Sequence, residues 1–138
     1  MDPSSAFLDA DMAFPVDSPS DGKPVVLESG PIISLHFDEQ AIQSLMLRHA
    51  PNKLVLGYTR TMMSFLLLHP APARISIIGL GGGSLAKYCY HHLPDTKVVA
   101  IEIDPSVIAL RNAFQIPPDD GRFEGVCADG VEYVKGQE

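Results

Sequence analysis

Ten residues decide the fold: Ile75-Ser76-Ile77-Ile78-Gly79-Leu80-Gly81-Gly82-Gly83-Ser84. A short run rich in β-branched residues reads as a buried strand. It closes at once into four glycines, and a helical stretch follows from Ser84 to about Leu93, ended by Pro94-Asp95. Glycines between a strand and a helix let the backbone turn tightly and approach a ligand with no Cβ in the way. The amides opening such a helix offer partial positive charge. The bland alternative is a loop that serves only helix–strand packing.

Downstream the pattern repeats. Lys97 to Ile103 reads as a second strand, and Asp104-Pro105 as a helix start with a capping carboxylate and proline at the first helical position. That helix carries Val107, Ile108, Leu110 and Phe114 and stops before Pro117-Pro118. Arg122 to Ala128 reads as a third strand, and Asp129-Gly130 leads into another helix start. Strand, helix, strand, helix, strand at this spacing predicts parallel pairing with right-handed crossovers. Three strands are few for such a domain, which predicts a partial sheet with an open edge through which copies can associate.

Three features then fall at the carboxyl ends of the strands, where open α/β sheets take ligands. They are the glycine turn (Gly79, Gly81, Gly82, Gly83), Glu102 and Asp129 with Gly130. A carboxylate at the Glu102 position can accept from both hydroxyls of a ribose, or simply be a solvated strand end. Asp129 can accept from an adenine amino group while Ala128 or Val131 packs on the ring, or cap the helix, or do both. The turn is a poor dinucleotide fingerprint, because Ser84 stands at the third glycine position, although spacing alone leaves NAD open. It lacks the Lys-Ser or Lys-Thr of a phosphate-binding loop.

Upstream, residues 1–24 are rich in Ser, Pro and Asp and read as a disordered or loosely attached tail. Residues 25–50 form a small β region, with Val25–Leu27 and Ile32–Phe37 as a hairpin around Glu28-Ser29-Gly30-Pro31. Residues 51–138 are the nucleotide-binding α/β domain, expected to be truncated on its C-terminal side. Its opening helix is predicted from an Asn52 cap, with Leu54, Tyr58, Met62 and Phe65 or Leu66 on one apolar stripe. The helix ends at His69-Pro70-Ala71-Pro72.

The net charge of −7 is concentrated in the first 22 residues, which carry five acids and no base; the remaining twelve acids and ten bases nearly balance. That part has no basic surplus for a nucleic acid. No apolar run approaches the ~20 residues of a membrane span, and no basic-then-apolar leader opens the chain, so a cytoplasmic location is expected. Cys89 and Cys127 are expected as buried free thiols. No metal site is expected: His91 and His92 diverge by about 100° on a helix and cannot form an i, i+4 ligand pair.

The segments ISIIGLGGGS (75–84), VVAIEIDPSVI (98–108) and CADGVEYV (127–134) resemble the spermidine synthase family, the polyamine aminopropyltransferases. These lie within the class of S-adenosylmethionine-dependent methyltransferase folds. The resemblance implies a Rossmann-like parallel sheet preceded by a small β domain. It implies that the glycine loop meets the nucleotide, that Glu102 holds the ribose and that Asp129, with Gly130, meets adenine. The co-substrate would be S-adenosylmethionine or its decarboxylated form, and the partner a small-molecule amine.

Two departures stand out. The family's loop carries an aspartate, which helps hold the amino end of the aminopropyl donor, where this chain has Gly82. Its preceding helix carries a glutamate that is missing from Gly57-Tyr58-Thr59-Arg60-Thr61-Met62-Met63. The family's proton-accepting aspartate lies beyond the third strand. The catalytic residues are therefore unassigned, and the isolated chain is expected to be poorly active or inactive. The alternatives are a small-molecule methyltransferase and a non-catalytic nucleotide-binding module.

Overall fold

A computed structural model describes residues 22–38 and 41–137. Residues 1–21, most of the expected tail, lie outside the described residues. The polypeptide forms two sheets. The first is antiparallel, in the order β1 (Val25–Ser29), β2 (Ile32–His36), β3 (Ile42–Leu47). The second is parallel, in the order β4 (Arg74–Ile78), β5 (Lys97–Glu102), β6 (Phe123–Cys127). Helices α2 (Ser84–His92), α3 (Pro105–Ile108) and α4 (Gly130–Lys135) follow the three parallel strands in turn. This is the partial Rossmann-like sheet read from the sequence, with a small β unit ahead of it.

β5 is central, and Val98, Val99, Ala100 and Ile101 are all buried, as its unbroken apolar run requires. The core joins Ile77, Val98 and Ala100 to Ala86 and Cys89 of α2, to Phe114, Ile116 and Phe123, and to Ile33, Leu35 and Met46 of the antiparallel sheet. The two sheets therefore share one core. The register explains how: Ile33 pairs with Met46 and Leu35 with Ser44, so one face of β2 and β3 points into it.

Four sequence expectations change. β3 makes the expected hairpin a three-stranded sheet. The helix expected from Asn52 begins at Gly57 as α1 (Gly57–Met62), because Leu54 is buried in the core and holds the segment before it in turns. It tightens into a 3-10 turn over Met63–Leu67. The predicted apolar stripe is reversed: Tyr58, Met62 and Phe65 face solvent, and only Leu54 of that set is buried. Finally, Cys89 is buried but Cys127 is exposed.

Lys87 is the largest fully buried side chain, 1% exposed. Burial lowers its pKa from 10.5 to about 8. Between those values the unfolded chain holds a proton that the folded chain has released, so stability rises with pH across that window, by roughly 3 kcal/mol in total. Burial pushes the Cys89 thiol up to about 11 and works in the opposite sense above pH 9. The Lys87 contribution is therefore read as a difference. Chemical denaturation from pH 7.5 to 10.5 is expected to show wild type gaining stability relative to Lys87→Met; parallel curves would refute the buried ammonium.

Candidate functional site

The parallel register sets the geometry of the carboxyl edge. Ile78 lies opposite Ile101, and Glu102 opposite Cys127. The glycine turn after β4, Glu102 at the end of β5 and Asp129 just past β6 therefore come to one edge, with Glu102 in the middle. The side chains show what each does within the fold.

Glu102 ties the turn together. Its Oε2 accepts from the amides of Leu80 at 2.9 Å and Gly81 at 3.4 Å, while Oε1 accepts from Asp104 N at 3.1 Å. A carboxylate offers about four acceptor positions, so little more than one remains for a ligand without rearrangement. Gly79 N donates to Ile101 O at 2.7 Å, Gly82 N to Ser44 Oγ at 2.9 Å and Gly83 N to Leu80 O at 2.8 Å. The amides from Gly79 to Gly83 are thus satisfied within the protein. The amides that open α2, at Ser84, Leu85 and Ala86, form no hydrogen bond among the described residues, so the expected donors stand at the helix start rather than in the turn.

Gly79, Gly81 and Gly83 have positive φ, and Gly83 is the residue preceding α2. Gly82 and Gly83 are also held by close approach. A Cβ at Gly82 would lie 2.7 Å from Ser44 Cβ and 2.9 Å from the Phe114 ring; at Gly83 it would lie 2.6 Å from Ile116. The departure at Gly82 is therefore steric as well as chemical: β3 and the segment after α3 occupy the space a side chain would need.

Asp104 and Asp129 both cap helices. Asp104 Oδ1 accepts from Ser106 N at 2.8 Å and from the Ser106 hydroxyl, and these bonds hold its carboxyl below the usual range. Asp129 Oδ1 accepts from Val131 N at 2.8 Å and Glu132 N at 3.1 Å, leaving Oδ2 uncommitted among the described residues. A cap and a ligand contact are compatible there. Asp129→Ala is expected to cost about 1 kcal/mol of stability through the lost cap. Thermal melting checks this, and an unchanged midpoint would mean the cap contributes nothing. Beside Gly130 the strand–helix packing is close, since a Cβ would meet Ile78 Cγ2 at 2.6 Å.

Sequence reasoning passed over several residues. Ile103, between the two acids, is 63% exposed at this edge. Its signal was an apolar residue at a strand end flanked by Glu102 and Asp104. Ser44, Phe114, Ile116 and Lys87 carried no local signal, because they meet the turn only through tertiary packing. An open cavity of about 940 Å3 lies elsewhere, lined by residues including His49, Arg60, Leu67, Tyr88 and His91. Among the described residues, no His, Cys, Asp and Glu cluster is arranged to hold a metal, and no helix is long and apolar enough to cross a membrane.

This is an α/β domain with the fold of the S-adenosylmethionine-dependent methyltransferase type, and the turn, Glu102 and Asp129 lie together at the carboxyl edge of its parallel sheet. Its homologues include polyamine aminopropyltransferases. The polyamine aminopropyltransferase of Neisseria meningitidis serogroup A is 46% identical over 112 residues, covering 80% of this chain and 43% of that relative. The chain thus spans less than half the length of that relative. Spermidine synthase from Thermotoga maritima superposes with a TM-score of 0.61 at 23% identity, over 86% of this chain and 41% of that one. Human methyltransferase-like protein 13, solved in complex with SAH, gives 0.52 at 28% identity, over 59% of this chain and 40% of that one. No family model matches the sequence.

Proposed function

We propose that the chain carries the nucleoside-binding half of a spermidine synthase-like aminopropyltransferase. It would hold S-adenosylmethionine or its decarboxylated form by the adenosine end. The observation that carries this reading is Glu102, a carboxylate centred between the glycine turn and Asp129 on an edge whose loop amides are already satisfied. Such an edge has acceptors for ribose hydroxyls and an adenine amino group. The 46% identity to an aminopropyltransferase supports the same reading.

In that role Glu102 accepts from the ribose, Asp129 Oδ2 accepts from adenine, and Ile103 offers an apolar surface to the ring. The transfer is displacement by an amine at the carbon beside the sulfonium. A C–N bond forms as the C–S bond breaks, methylthioadenosine leaves with the electron pair, and the attacking amine gives up a proton. These residues bind and orient the donor, which is where much of such a barrier is lowered. The proton acceptor is unassigned, and the isolated chain is expected to bind without efficient turnover.

A methyltransferase is the second reading, favoured by one observation: Gly82 has neither a carboxylate nor room for one. Calorimetric titration with S-adenosylmethionine, decarboxylated S-adenosylmethionine, methylthioadenosine and NAD separates them. Preference for the decarboxylated donor and methylthioadenosine is the expected result, and preference for S-adenosylmethionine would move the assignment to methyl transfer. A folded chain that binds none of the adenosyl ligands would refute both.

A further inference from the structure

β3 presents Ser44 and Met46 two residues apart, hence on one face, and both reach the element that forms the candidate ligand edge. Ser44 Oγ accepts from Gly82 N at 2.9 Å. One turn into α2, Lys87 Nζ donates to Met46 Sδ at 3.1 Å and to the Phe114 carbonyl at 2.7 Å. Among the described residues Lys87 forms no ion pair. A buried ammonium without a counter-ion is a costly choice if packing alone were needed. Its best acceptor is a backbone carbonyl at a strained place, because Gln115, the next residue, is the one non-glycine described residue with positive φ, 53°. On either side of Gln115, the Phe114 ring backs Gly82 and the Ile116 side chain backs Gly83.

We propose that Lys87 is a positioning residue for the donor site: by binding the Phe114 carbonyl and the Met46 sulfur it holds residues 114–116 against Gly82 and Gly83, and so fixes the shape of the turn that the ligand meets. The inference rests on the donor-binding reading above, and it makes the antiparallel sheet part of the ligand site. A strained peptide that would otherwise relax is kept in place by a donor that no aliphatic side chain can supply. Phe114 and Ile116 bear on the adjacent glycines 82 and 83, so loss of the two Lys87 contacts is expected at the loop before it is felt in β5.

The test pairs affinity with stability. Lys87→Met keeps most of the volume and removes the charge and its hydrogen bonds. At pH 7 the variant is expected to melt at or above the wild-type temperature, since a buried charge has gone. Its affinity for the preferred adenosyl ligand is expected to fall about tenfold or more, the scale of a lost charged hydrogen bond. A purely structural lysine predicts the opposite pairing, with stability lost or affinity kept. Wild type that binds and a folded Lys87→Met that binds equally well would overturn the inference and leave the donor reading intact. Wild type that binds no adenosyl ligand would overturn the donor reading itself. Should Lys87→Met fail to fold, amide hydrogen exchange in Met46→Leu carries the test. Faster exchange at Gly82 and Gly83 with β5 unchanged supports the clamp, and unchanged exchange at both glycines refutes it.

Discussion

Glu102→Ala is expected to weaken binding of the adenosyl donor ten- to hundredfold, equivalent to roughly 1.4–2.7 kcal/mol. Two losses combine. A ribose would lose one or two charge-assisted hydrogen bonds, each about 1.5–3 kcal/mol in favourable cases. The amides of Leu80, Gly81 and Asp104 also lose the acceptor that ties them together. A donor analogue lacking the ribose 2′-hydroxyl separates these contributions. If Glu102 reads the ribose, the analogue binds wild type more weakly than the parent ligand, and Glu102→Ala narrows that gap. If the gap is unchanged in the variant, Glu102 serves only the loop, and the ribose role is refuted. Glu102→Gln retains one acceptor oxygen but turns a carboxamide NH2, itself a donor, toward backbone donors, so it is expected to behave nearer to alanine than to wild type.

Gly82→Asp, which would restore the acid of the family loop, is expected to damage this chain. Its Cβ would sit 2.7 Å from Ser44 Cβ and 2.9 Å from the Phe114 ring, both buried and backed by the core. Overpacking of that kind costs about 1–3 kcal/mol, and an unpaired carboxylate in the same place adds to it. The displaced side chain also disturbs the Ser44 bond to Gly82 N. A fall in melting temperature of roughly 10 °C is expected for a domain of this size. Opening the facing position with Ser44→Gly is expected to recover part of the loss, a coupling that two independent sites would not show. A Gly82→Asp protein as stable as wild type would mean that β3 is not seated on the turn, and the clamp would go with it.

Much of this site is written locally. The β4 pattern, the glycines that follow it and the caps at Asp104 and Asp129 each depend on a few neighbouring residues, and each is found at the place it was read. Parallel pairing followed from the strand–helix spacing, and the register brings Glu102 between the turn and Asp129. The segment from Asn52 to Leu68 was less legible. Its three-to-four periodicity is genuine, but periodicity identifies a stripe without saying which side of the chain will be covered. Here the core takes Leu54 and leaves Tyr58, Met62 and Phe65 outward. β3 was missed because Ile42–Leu47 lacks clean alternation: Ser44, Leu45 and Met46 are buried in succession, packed on both faces.

The strands, the glycine turn and the acids at its edge were legible from residues alone, because strand propensity, positive φ and helix capping are settled within a few positions. The internal satisfaction of the amides of Gly79 to Gly83, the lack of room for a side chain at Gly82 and the reach of Lys87 to the Phe114 carbonyl emerge from the packed fold alone. Each of those depends on residues tens of positions apart meeting in one core. Ser44 and Gly82 are brought together by two packed sheets, and no local pattern records a contact that burial alone creates.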